Sequence, residues 1–101
     1  MAFPTGWTRK CELTFASTPT ADLAALFTED NLPSEMFDAD GDNPALNGGG
    51  DIRFSSDSAG TSQLPCEVVS FVTDNDPANG TAQVWVKVPA AASVWVWYGK
   101  T

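Results

Sequence analysis

Thirteen carboxylates against five basic residues, and no histidine, set the chemistry open to this chain. Two carboxylates can serve as acid and base on a glycosidic bond, and Asp51 with Glu67 is the pair that invites that reading. Both belong to motifs that also carry a cation, Arg53 two residues after Asp51 and Lys87 in a later strand. Charge neutralisation inside a sheet therefore explains them more simply. Asp51, Arg53, Glu67 and Lys87 are read as a structural polar motif, with a ligand-contacting pair as the sharper alternative. The missing histidine removes the commonest general base, metal ligand and triad member. No Gly-x-Ser-x-Gly elbow replaces it. No catalytic residue is expected, and the chain is read as non-enzymatic.

The run Asp38-Ala39-Asp40-Gly41-Asp42-Asn43 sets hard oxygens at alternate positions, like the start of a calcium loop. Its glycine stands fourth rather than sixth, and Gly49 occupies the position where an EF-hand needs glutamate. Asp38, Asp40 and Asp42 are thus a weak calcium candidate, a solvated acidic turn is the preferred reading, and no metal or cofactor is expected. The aromatic residues Trp7, Trp85, Trp95, Trp97 and Tyr98 carry more. They could form a flat platform for sugar rings, anchor a protein interface, or fill a core.

These residues need strands to position them. Gly48-Gly49-Gly50 leads into Asp51-Ile52-Arg53-Phe54, where charged and apolar residues alternate, so Asp51 and Arg53 share one face and Ile52 and Phe54 the other. Trp7 to Phe15 has Cys11, Leu13 and Phe15 on one side and Lys10, Glu12 and Thr14 on the other. Ala21 to Thr28 is ambiguous between helix and strand and is read as a short strand ending near Thr28. Leu32 to Phe37 is read as one helical turn, with Asn31 as its N-cap. Asp38 to Gly50 is a long loop. Leu64 to Thr73 reads as one strand, irregular at Val68-Val69. Asp74 to Gly80 is a turn with an Asn-Gly signal. Thr81 to Val88 and Ser93 to Tyr98 form a hairpin whose second arm, apolar on both faces, is central or covered by a partner.

Short strands separated by turns, without sustained helical periodicity, predict an all-β fold: an antiparallel β-sandwich of jelly-roll type with one short helical turn. Its expected core includes Ile52, Phe54, Val84, Val86 and Val96. The 101 residues make one domain, and a net charge of −8 excludes binding to a phosphate backbone. No stretch is long and apolar enough for a membrane span, and Met1 to Trp7 lacks the charged and apolar regions of a signal peptide, so synthesis in a cytoplasm is expected. Cys11 and Cys66 form a disulfide if their strands are neighbours and the compartment is oxidising. Otherwise they are buried free thiols.

Gly6-Trp7, the block Gly49 to Phe54, Leu64-Pro65 with Glu67 and Val68, Val84-Trp85-Val86-Lys87-Val88-Pro89 and Trp97-Tyr98-Gly99 follow in an order that is itself informative. From Trp7 to Gly99 the chain resembles domain of unknown function family 2341, small β-sandwich domains of bacterial surface proteins and phages. That resemblance implies binding rather than catalysis, because larger members join the domain to lectin-like or other extracellular modules. It maps the shared polar and aromatic positions to Asp51, Arg53, Glu67, Trp85 and Lys87. A domain standing behind its own Met1, with nothing joined to it, is expected of a phage structural protein. The expectation is a virion component on the head or tail of a phage or phage-like particle, made in the host cytoplasm. Its partners would be capsid or tail proteins and copies of itself in symmetric contact. The rival is a carbohydrate-binding module for cell-surface polysaccharide, placed extracellularly or on a cell surface.

Overall fold

Strict alternation writes the clearest strand. In Thr81–Val88, here β6, Ala82, Val84, Val86 and Val88 are buried while Thr81, Gln83, Trp85 and Lys87 face solvent, as a two-residue period requires. Around it, a computed structural model describes residues 3–20, 23–41, 44–46 and 48–100. The remaining strands are β1 (Trp7–Thr14), β2 (Leu23–Thr28), β3 (Arg53–Ser55), β4 (Gln63–Leu64), β5 (Cys66–Val72) and β7 (Ser93–Lys100). The helical segments are two short 3-10 turns, Ser34–Phe37 and Pro77–Asn79. The fold is all-β, and every named strand pairing is antiparallel.

Two sheets result, ordered β1-β7-β3-β4 and β2-β6-β5. Their inner faces share one core. Ile52 precedes β3 there, with Phe54, Val94, Val96 and Tyr98 from the first sheet and Phe27, Phe71, Ala82, Val84, Val86 and Val88 from the second. Phe27 stacks on Phe54 across the interior, with ring centroids 5.4 Å apart, and Phe37 stacks on Phe71 at 4.7 Å. The five expected core residues are all buried. β7 is central, between β1 and β3. Both of its faces are apolar because the chain covers the outer one itself: Phe3 packs edge-on against Trp97, with centroids 5.3 Å apart.

Several local expectations change. The stretch read as one strand from Leu64 is cut by Pro65, which cannot donate to a ladder. Gln63–Leu64 therefore pairs with β3 in the first sheet, and Cys66–Val72 joins the second. The irregularity at Val68-Val69 is a β-bulge, where the register with β6 shifts between Val68 and Ser70. The 3-10 turn at Ser34 follows Pro33 with no side-chain cap; Asn31 instead accepts from the Thr28 N–H at 3.1 Å, closing the turn after β2. The Asn79-Gly80 step lies in a turn, yet Gly80 has φ −69°, so no left-handed conformation calls for the glycine. The two cysteines sit on different sheets and are free thiols, so the condition for a bridge is not met. Burial raises the pKa of both, and an Arg53 charge only partly opposes this at Cys66, which makes neither an activated nucleophile.

Candidate functional site

The residues singled out from sequence divide between the two sheets. Asp51, Arg53, Trp7, Trp95, Trp97 and Tyr98 belong to the first sheet and its approach. Glu67, Trp85 and Lys87 belong to the second. The expected single polar motif is therefore two separate groups.

Asp51 lies in the turn before β3 rather than in a strand. It is buried, at 2% exposure, and its carboxylate accepts backbone N–H groups from Leu46 (2.9 Å), Gly99 (3.0 Å) and Lys100 (3.3 Å). Its own carbonyl accepts the Trp7 indole N–H. Asp51 thus clasps the loop before it to the end of β7. Gly48 and Gly49, both at positive φ (90° and 75°), fold the chain tightly enough to bring it there.

Charge neutralisation inside a sheet would bury Arg53 and pair it with Asp51 or Glu67. Arg53 is half-buried and donates to the carbonyls of Gly50 (3.1 Å) and Ile52 (2.8 Å), with its guanidinium over the Trp7 ring at 5.4 Å. The ion pair found among the described residues joins Arg9 to Glu35 instead, at 3.1 Å. Asp51 needs no cation because three N–H dipoles already stabilise its charge. Arg53 lies next to a tryptophan face and the Gly50 and Ile52 carbonyls, which a planar guanidinium fits well.

Trp97 and Tyr98 were candidates for an exposed aromatic platform, but both are buried, at 7% and 1% exposure. The Trp97 indole donates to Ser55 Oγ at 2.8 Å. Trp95 is half-buried under the Lys10 ammonium, which lies 5.3 Å from its ring. Trp7 is half-buried against Phe3 and Arg53. Around this sheet the aromatics serve packing.

Tyr98 donates its hydroxyl to Glu35, which also holds Arg9. Burial first, then the Glu35 carboxylate, push the Tyr98 phenol well above its ordinary value. A phenol whose pKa is raised by folding contributes stability fully below about pH 10, its ordinary value, and loses it as pH rises further. Tyr98 is the sole tyrosine, so its absorbance reports it alone. We expect no phenolate signal near pH 10 while the chain is folded, and its appearance only together with alkaline unfolding. A phenolate titrating near pH 10 with the fold intact would show that the Glu35 bond is not maintained.

Asp38 turns to its own loop, accepting the Asp40 N–H at Oδ1 (3.2 Å) while its backbone bridges to Asp74, and Asp40 is exposed. Asp42 lies outside the described residues. Among the described residues no group of three or more potential ligands is gathered for a metal ion.

The outer face of the β2-β6-β5 sheet is different. Antiparallel register sets Leu26, Trp85 and Glu67 in one row across its three strands, with Ala24 and Lys87 paired in the next. Trp85 is 41% exposed and Leu26 42%, and Glu67 and Lys87 both face solvent. Val69, pushed out by the bulge, is exposed as well. Ala24, Pro65, Glu67, Trp85 and Lys87 line a shallow hollow of about 240 Å³. An aromatic face and an aliphatic neighbour, flanked by one charge of each sign, make a recognition surface of mixed chemistry. Sequence pattern identified Trp85, Glu67 and Lys87 but did not single out Leu26, which lies in the segment left ambiguous between helix and strand. The two-residue period of Ala25 and Phe27 is the signal that turns it outward.

No protein-family model, curated protein or solved structure matches the chain. No helix among the described residues is long and apolar enough to cross a membrane.

Proposed function

We propose that this is a non-enzymatic binding protein whose working surface is the outer face of the β2-β6-β5 sheet. The observation that carries the reading is Trp85, held open to solvent at the middle of a central strand beside Leu26. Large apolar groups in that position gain most when another surface covers them, and tryptophan is the residue that most often concentrates interface energy. The partner we infer is protein: the shell or tail lattice of a phage or phage-like particle, on which the domain sits as a surface component. The resemblance to family 2341 supports that placement. We read the strand order, β1-β7-β3-β4 in one sheet and β2-β6-β5 in the other, as that of a jelly roll, a fold common among capsid proteins. The polar residues around Asp51 support a non-catalytic reading, since each has a structural partner: among the described residues no buried side-chain nitrogen or oxygen is left without one.

A second reading rests on the same tryptophan. Glu67 and Lys87 beside the ring could hydrogen-bond the hydroxyls of a sugar stacked on it, as in a carbohydrate-binding module.

One substitution separates the two. Trp85→Ala removes an exposed side chain, so the fold should stay intact by circular dichroism. Binding to particles depleted of this protein should fall by about thirtyfold or more, the scale of an interface hot spot. Soluble host polysaccharide should not compete. Retention on that polysaccharide, lost in Trp85→Ala and accompanied by no affinity for any particle, would replace the protein-partner reading with the glycan one.

A further inference from the structure

The four edges of the two sheets are not alike. β1 carries Arg9, Lys10 and Glu12 along its exposed positions. β4 is only two residues long and ends at Pro65. β5 is bulged at Val69, and the loop before β3 closes on it, the Gly48 N–H donating to the Phe71 carbonyl at 2.8 Å. Charge, shortness, proline, bulges and loop cover are the devices that stop a sheet edge from pairing with another chain. Among the described residues β2 has none of them. Its sequence, Leu-Ala-Ala-Leu-Phe-Thr, holds no charge, proline, glycine or bulge, and Leu23 and Leu26 are 55% and 42% exposed.

The backbone of β2 is set up for pairing. The Lys87 N–H points towards β5, donating to Pro65 O at 3.0 Å, so alternation turns Val84, Val86 and Val88 towards β2. Their partners Leu23, Ala25 and Phe27 use their N–H and C=O groups in that ladder, which leaves those of Ala24 and Leu26 pointing outward. The Thr28 groups also face away from β6 but are engaged by the Asn31 turn.

We propose that β2 pairs with β2 of a second copy, antiparallel about a two-fold axis at Ala25. Centring on Ala25 sets Ala24 opposite Leu26 of the other copy, twice, and so uses the outward groups for which no backbone partner is found among the described residues. It keeps inner residues opposite inner residues, as continuous sheet faces require. Leu23 then lies opposite Phe27, whose side chain lines a cavity of about 440 Å³ shared with Leu13, Phe15 and Leu32. A second copy is the occupant because the edge is self-complementary: this register gives the outward N–H and C=O groups of Ala24 and Leu26 their mates in the other copy, and Leu23–Thr28 sets no charged side chain against its like. The six-stranded sheet so formed carries two Leu26-Trp85 rows on one face. The pairing stands whatever that face binds.

The test is the molar mass of the full chain by sedimentation velocity from micromolar to millimolar concentration. The wild type is expected to dimerise. Ala24→Pro deletes an outward N–H and leaves the β2-β6 ladder its donors, so it should be monomeric with an unchanged circular dichroism spectrum. Leu26→Lys, which places a charge on the edge, should also be monomeric and serves if the proline variant does not fold. In a Cys11→Ser, Cys66→Ser background, Ala25→Cys should oxidise to a covalent dimer. A wild type monomeric throughout the range, or a dimer that survives both edge substitutions, overturns the proposal.

Discussion

Replacing Asp51 by alanine is expected to lower stability by about 3–5 kcal/mol, because three N–H groups lose the acceptor that reaches them and a buried donor left unsatisfied costs roughly 1–3 kcal/mol. The midpoint of urea unfolding reads this directly. Asp51→Asn keeps one of the two acceptor oxygens and should fall between. Arg53→Ala makes the comparison: it strands no carboxylate and takes one donor from two carbonyls, so its cost should be smaller, about 1 kcal/mol. An Asp51→Ala variant within 1 kcal/mol of wild type by that measurement would mean the clasp between the loop and the end of β7 contributes nothing.

Gly80→Ala is expected to cost about 3 kcal/mol, at the upper end for overpacking. A Cβ at this position would lie 2.5 Å from Phe37 Cβ and 2.6 Å from its Cδ1, and Phe37 is fully buried against Phe71. Neither the backbone nor a ring in that stack can yield by half an ångström without disturbing the core. Gly48→Ala is the informative contrast, since nothing lies within 4 Å of its added Cβ and its strain is purely that of φ +90°. If thermal denaturation shows Gly80→Ala as stable as wild type, the turn moves freely and Phe37 is not held by it.

The pair shows where sequence reading succeeds and where it stops. Period-two patterning in Thr81 to Val88 and Trp7 to Phe15 pointed to strand and face, and in Ser93 to Tyr98 to a strand apolar on both sides, because burial on one side of a pleat writes itself into every second residue. The Asn79-Gly80 step marked a turn for the right place and the wrong reason: a ring from a distant loop, not a positive φ, excludes a side chain there. Asp51 and Arg53 looked like an ion pair because side-chain types are visible in a sequence and backbone N–H groups are not. Trp97 looked exposed for a similar reason, its cover being Phe3 at the far end of the chain. Of the recognition face, Trp85, Glu67 and Lys87 were legible as residues, but their separation from Asp51 and Arg53 depends on Pro65 sending the chain from one sheet to the other.

The pairing of β1 with β7 also governs how the molecule is made. Trp7 faces Lys100 across that ladder, and β3 borders β7 as well, so β1, near the start of the chain, finds its ladder partner in residues near its close. A ribosome adding roughly 5–20 residues per second releases β1 several seconds before its neighbour exists. The β5-β6 hairpin, joined through the 3-10 turn Pro77–Asn79, can form meanwhile, and β2 can dock on β6 as soon as that strand emerges. The three-stranded sheet is thus the earlier half and the four-stranded sheet a late one, closed by long-range contacts of the kind that slow β-proteins to milliseconds or seconds. During that interval the emerging chain presents β2, its least protected strand, to whatever other nascent copies lie on the same message.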